Sequence, residues 1–163
     1  MNTQSPRYRE LATSEDNRNA ALELVSAART NLALFTRDLE PSIYDTAEFV
    51  AAVQQLALHS RFSRIRIVVI DPTAAIKGGH RLVELGRRLT SYIQFRRPSA
   101  DHAKLSESFL IADETGVLYR PLASRYEGFA DPDNPFEART RLRSFDDIWE
   151  QAEPEPEFRR LGL

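Results

Sequence analysis

The chain contains no cysteine. Disulfide staples and thiolate chemistry are therefore excluded, and the composition suits a reducing compartment. Glycine is sparse, six in 163 residues. No G-x-x-x-x-G-K-[ST] or G-x-G-x-x-G phosphate loop occurs, and no G-x-S-x-G nucleophile elbow. No apolar run approaches the ~20 residues that a membrane helix needs. Met1–Asp16 is polar and lacks the apolar core of a signal peptide. These absences make a cytoplasmic location without membrane contact the expectation. His59, His80 and His102 show no metal-ligand spacing and have no carboxylate pattern beside them, so neither a metal site nor a cofactor is expected.

What is present is the composition of one globular domain: 42% hydrophobic and 28% charged residues. The pattern predicts a flexible N-terminus over 1–15, a single domain over 16–152 and a tail over 153–163. Charge is unevenly spread although the net is only −2. From His59 to Lys104 there are ten lysines and arginines against three acids, and from Asp146 to Glu157 six acids and no base. A basic middle of this kind can attract phosphate. It can equally offset the acidic tail, within the chain or across a subunit contact.

Hydrophobic periodicity predicts the order α-β-α-β-α-β-β-β-α. A first helix runs from a cap at Asp16 or Asn17 to about Arg29. Asn31–Asp38 is a strand, and a helix follows from Thr46 to about His59. Ile65–Ile70, IRIVVI, is a β-branched buried strand. Gly78-Gly79 interrupts the chain before a helix through Leu82, Leu85 and Leu89, and Tyr92–Phe95 is the next strand. Phe109–Ala112 and Val117–Tyr119 form a hairpin, with Gly116 available for positive φ. Residues 123–134 read as a long loop. Asn134 caps a last helix with Pro135 at its first position and Phe136, Leu142, Phe145, Ile148 and Trp149 on its core face. The alternation of helices and strands predicts an α/β fold with a mixed, largely parallel sheet flanked by helices.

In open α/β sheets ligands sit beyond the carboxyl ends of parallel strands, which draws attention to Asp38. His80, at a helix start behind two glycines, has backbone N–H groups near it that can hold an anion. Arg97 belongs to the basic stretch that can track phosphates. Arg125, beside Tyr126 in the long loop, can reach a ligand.

The segment FLIADETGVLYR carries a resemblance. It is similar to the hairpin strand of the phospholipase D superfamily, in which an F-x-I-x-D strand follows a histidine-x-lysine motif. The whole order over residues 17–150 resembles one half-domain of that family. The closing FDDIWEQAEPEPEFRRLGL is similar to the tail of bacterial phospholipase D-like domains of unknown role, some joined to an acetyltransferase domain. The resemblance implies a metal-independent phosphodiesterase site with a histidine nucleophile and a lysine clamp, built from two halves. It therefore also implies a homodimer for a chain with one half.

With Asp113 at the motif's aspartate, Ser106 falls at the histidine and Ser108 at the lysine. Neither can supply nucleophile or cation. Arg120 falls near the family's Gly-Ser turn and can still contact an anion. His102-Ala103-Lys104 is a literal histidine-x-lysine, four residues before Ser106. The resulting expectation is a degenerate, non-catalytic phospholipase D-like domain that binds an anionic, phosphate-containing ligand or a protein partner such as an acetyltransferase domain. Two alternatives stand beside it: a phosphodiesterase or nuclease using His102 and Lys104 across a dimer, and a nucleic-acid-binding module.

Overall fold

A computed structural model of the chain describes residues 4–159. Its centre is an eight-stranded sheet in the order β1-β7-β6-β5-β2-β3-β4-β8. The strands are β1 (Arg9–Leu11), β2 (Asn31–Thr36), β3 (Arg64–Val69), β4 (Ile93–Arg97), β5 (Ser108–Ala112), β6 (Gly116–Arg120), β7 (Gly128–Asp131) and β8 (Glu153–Pro154). The helices are α1 (Ser14–Ala27), α2 (Pro41–Tyr44), α3 (Ala47–His59), α4 (Thr73–Lys77), α5 (Arg81–Arg88), α6 (Pro135–Gln151) and α7 (Pro156–Arg159). No helix among the described residues is long and apolar enough to cross a membrane.

The sheet is mixed and flanked by helices, as the alternation predicts, but its parallel share is smaller than expected. Only β2–β3 and β3–β4 pair in parallel. The other five pairings are antiparallel. The reason is topological. The crossover helices α3 and α5 end with β4. The chain then returns to the far side of β2 and continues as a β5–β6–β7 meander, whose short connections permit only antiparallel neighbours.

Alternate residues of each strand feed two cores. Leu32, Leu34, Ile65, Ile67 and Phe95 face α1, α3 and α5. Ala33, Phe35, Val68, Phe109 and Val117 face α6 through Phe145, Ile148 and Trp149. Phe136 is not on that face and is 48% exposed. It stands two residues, more than half a turn, from buried Ala138, so helical geometry turns it outward.

Several local signals place elements differently from the sequence reading. Thr13, not Asp16 or Asn17, caps α1: its hydroxyl accepts from Asp16 N at 3.0 Å while Asp16 accepts from Thr13 N at 3.1 Å. Asn17 is buried and its side chain donates to the Tyr126 carbonyl at 2.9 Å. Positive φ in the β5–β6 turn belongs to Asp113, at 53°, and not to Gly116. The region expected as a long loop contains β7. Segment 1–15 is not loosely attached where it is described: β1 pairs with β7, and Ser5 hydrogen-bonds the buried Asp131 carboxylate through its backbone N–H and its hydroxyl. Residues 153–158 likewise dock, with β8 on β4 and Phe158 packed 4.6 Å from the Phe95 ring. Strands of two to four residues are too short to carry a period.

Candidate functional site

The carboxyl end of β2 carries a buried polar cluster. Arg120, the last residue of β6, is opposite Ser108 across the β5–β6 pair. Its side chain is fully buried. The guanidinium donates Nη1 and Nη2 to Glu40 Oε1 and Oε2 at 2.7 and 2.9 Å. It also donates Nε to the Arg125 carbonyl at 2.7 Å and Nη2 to the Ala123 carbonyl at 2.5 Å. Four of its five donors are thus engaged. Burial works against its charge, but the hydrogen bonds and charge of Glu40 outweigh burial and hold its pKa above the ordinary arginine value. Gly128 makes this placement possible: a Cβ there would overlap the Tyr119 carbonyl and approach Arg120 Cγ to 3.0 Å.

Glu40 is set by the turn after β2. Thr36 Oγ1 accepts from Leu39 N at 3.2 Å. Leu39 is buried with φ at 56°, an unusual conformation for leucine. Its carbonyl accepts from His80 Nε2 at 2.9 Å, and His80 Nδ1 accepts from Leu82 N at 3.1 Å, which fixes the Nε2–H tautomer. Burial holds the His80 pKa below its ordinary value, against the opposing pull of Asp45 and the Leu39 contact. His80 is therefore an N-cap of α5 and a brace for the β2 turn, and its ring is not presented to solvent. Tyr44, one helical turn beyond Glu40, is completely buried, with its hydroxyl beside Ser108. Burial, and after it the charge of Glu40, raises its pKa.

Ser108 is fully buried and donates to the Phe35 carbonyl at 3.1 Å. Ser106 is exposed, and its carbonyl accepts from Ala123 N at 2.6 Å. Asp113 accepts from the backbone N–H groups of Arg29, Thr30 and Asn31, each at 3.0 Å, and so ties the hairpin turn to the start of β2. His102 and Lys104 form a single 3₁₀ turn. His102 Nδ1 is 3.3 Å from Ser99 Oγ. Arg125 is exposed, with its guanidinium 3.9 Å from Glu127. Asp38 is half-buried beside Leu39. Arg97 lies at the opposite border of the sheet, 3.8 Å from Glu153 and 3.9 Å from Glu155.

The structure thus brings Ser108 and Arg120 together and links His80 to them through Leu39 and Glu40. It leaves Arg97 and the Arg125 side chain outside that cluster. Glu40 and Tyr44 are the members the sequence reading missed. Glu40 meets its partner 80 positions away, and no local pattern encodes such a pairing. The basic middle is answered in part within the chain. Arg66 pairs with Asp146 at 2.8 Å, Arg96 covers the Trp149 ring at 4.1 Å, and Arg87 donates to Glu84 and to the Glu157 carbonyl. Among the described residues no group of three metal-ligating side chains comes together.

A family model described as a domain of unknown function, DUF7931, matches residues 13–161. The chain belongs to the DUF7931 family. No curated protein matches. Among solved structures, the DUF7931 chain is similar to TrmBL2, an archaeal chromatin protein described as showing a novel mode of DNA binding. The identity is 13%, the TM-score 0.66, and the match covers 95% of this chain and 57% of that one. It is similar to Nuc from Salmonella typhimurium, a phospholipase D family member, with 15% identity, a TM-score of 0.62 and coverage of 91% and 98%. It is also similar to the phosphatidylserine synthase of Haemophilus influenzae Rd KW20, with 11% identity, a TM-score of 0.67 and coverage of 100% and 41%. The DUF7931 chain therefore has the phospholipase D-like fold. It spans nearly all of Nuc but about half the length of TrmBL2 and of the synthase.

Proposed function

We propose that this DUF7931 domain is a non-catalytic phospholipase D-like domain with a binding or regulatory role, acting as a homodimer on an anionic ligand or a protein partner. One observation carries the reading. Serines 106 and 108 stand where the family resemblance requires a nucleophile and a cation, and Arg120, the cation across from Ser108, is buried and committed to Glu40. A serine without an adjacent base is a poor nucleophile, and a neutralised guanidinium offers little to a phosphoryl transition state.

The reading predicts no turnover of bis-p-nitrophenyl phosphate or DNA in EDTA. Hydrolysis that disappears in His102→Ala would overturn it in favour of a phosphodiesterase using His102 and Lys104. DNA binding that weakens steeply with salt would favour a nucleic-acid-binding module. The internal pairing of Arg66, Arg87 and Arg97 argues against that module. Light scattering tests the homodimer: a clean monomer at tens of micromolar excludes it.

A further inference from the structure

The connection from α3 to β3 turns two large apolar side chains to solvent. Leu58, in the last turn of α3, is 58% exposed. Phe62 is 72% exposed, the most exposed large apolar side chain among the described residues. A lone exposed apolar residue is ordinary, but this pair is presented by a fixed turn. Ser60 Oγ accepts from Phe62 N at 3.0 Å, and the Ser60 carbonyl accepts from Ser63 N at 3.1 Å. The turn buries Ser63 and leaves Phe62 outside. The Arg61 guanidinium lies over the Phe62 ring, 4.8 Å from its centroid.

Basic side chains flank the pair. β2, β3 and β4 are parallel, so their starting ends lie side by side. Arg64 N donates to the Thr30 carbonyl and Ile65 N to the Tyr92 carbonyl, each at 2.8 Å. The segments that enter these strands therefore meet at one end of the sheet, and they carry Arg29, Arg61, Arg64 and Arg88, all exposed. Among the described residues, no ion pair holds any of the four. Arg29 and His59 line the same hollow between the ends of α1 and α3. Partial burial, and then the charges of Arg66 and Arg96, lower the Arg64 pKa, with Asp146 opposing them. Two acids share this end of the sheet. Asp113 accepts from three backbone N–H groups, and Glu114 follows it in the hairpin turn. Both lie on the β5 side of β2, whereas Phe62 lies on the β3 side.

Apolar tips among arginines fit an occupant that is anionic at its surface and apolar beneath. An anionic bilayer has that layering: arginines meet the headgroup phosphates while apolar side chains reach the acyl boundary. A nucleic acid offers the same phosphates, but it engages aromatic side chains by stacking bases on them. Arg61 already covers one face of Phe62, and Leu58 has no ring to stack. Docking on a bilayer needs no membrane-spanning helix.

We propose that the α3–β3 turn is a docking tip for anionic lipid surfaces, with Leu58 and Phe62 entering the headgroup layer and Arg29, Arg61, Arg64 and Arg88 binding its phosphates. This goes beyond the proposed function, since it holds for a catalytic or a non-catalytic domain, and it departs from the expectation of no membrane contact.

The test is co-sedimentation of the full chain with vesicles of phosphatidylcholine alone or of an equal mixture with phosphatidylglycerol. Wild type should bind the mixed vesicles, less at high salt, and not the neutral ones. Leu58→Ser/Phe62→Ser should weaken binding by about tenfold, and Arg61→Gln/Arg64→Gln by roughly tenfold or more. All four side chains are exposed, so the melting temperatures should stay near that of wild type. Phe62→Trp should add a blue-shifted emission on mixed vesicles, which adsorption by charge alone would not give. The proposal is overturned by wild type that ignores the mixed vesicles, by equal binding to neutral ones, or by binding that the Leu58→Ser/Phe62→Ser variant retains in full. Retention of single-stranded DNA that Phe62→Ser weakens, with vesicles ignored, would assign the tip to nucleic acid instead. A dimer that the same substitution converts to monomer, again with vesicles ignored, would make the tip a subunit contact.

Discussion

Two carboxylates secure the two ends of β2, and they do so differently. At the start of the strand Asp113 grips backbone, accepting from three consecutive N–H groups. Beyond its end Glu40 grips a side chain, the guanidinium of Arg120. The first contact depends on where the main chain runs, so any sequence that keeps the hairpin against β2 can use it. The second depends on one particular partner and vanishes if either member changes. In the family resemblance Asp113 matches the motif while Ser106 and Ser108 do not. The matching residue holds three backbone N–H groups, whereas Ser108, at the lysine position, makes one bond to a backbone carbonyl and brings no charge. The parts of a motif that hold a scaffold and the parts that perform chemistry are thus separable.

The largest expected effect tests the side-chain-directed end. Arg120→Met leaves Glu40 facing a mostly buried environment without its counter-charge, and breaking a buried pair costs about 3–5 kcal/mol. Urea unfolding should show this, with part of the loss recovered in Glu40→Gln/Arg120→Met. A double variant whose loss equals the sum of the losses of Glu40→Gln and Arg120→Met would mean that the two residues are not coupled. At the backbone-directed end, Asp113→Ala removes the acceptor for three N–H groups and should cost roughly 2–3 kcal/mol, since hydrogen bonds to charged groups are worth about 1.5–3 kcal/mol each and water replaces some of them. Asp113→Asn, which tolerates the positive φ, should lose less.

A smaller effect reaches the Glu40 end through pH. His80 braces the turn that presents Glu40, and its folded pKa lies below its unfolded value. The folded state therefore binds the proton less readily than the unfolded one. The associated stability is complete above the ordinary histidine pKa of about 6.5. It declines as pH falls below that value and is lost once pH has passed through the folded pKa. Unfolding free energies measured from pH 7.5 to 5 should slope downward in wild type and be flatter in His80→Gln. Equal slopes would remove His80 as the source. Asp131, Asp71 and Asp16 have lowered pKa values, so their contributions are lost only at lower pH, below the ordinary carboxylate range. The smallest effect belongs to Arg97→Ala, a largely exposed side chain whose contacts with exposed Glu153 and buried Glu155 are both long. Its cost should stay within ~0.5 kcal/mol, and a larger loss would mean that the acidic tail is held chiefly by charge.

The longer elements were legible because they satisfy local rules. IRIVVI announces a buried strand, Thr46 and Asn134 cap the helices they precede, and FLIAD and GVLYR make the expected hairpin. The parallel character was overestimated because local patterns specify strands and not their neighbours, and β5 returns to β2 from the far side. β1, β7 and β8 were missed for lack of length. At the site, Ser108 and Arg120 could be marked from the resemblance. Glu40, Tyr44 and the bracing role of His80 could not, because each depends on a contact made only when the chain closes over the end of β2.

The outermost strands of the sheet are supplied by segments near the two ends of the described chain: three residues of β1 on one side and two of β8 on the other, the latter ending in Pro154. Short strands and a proline, which lacks an N–H, make poor templates for further pairing. Two copies of this chain are therefore badly suited to join by continuing one sheet into the next. Among the described residues, both borders of the sheet are thus poor places for it to grow, and the strand ends and the helical layers are the better surfaces for contact.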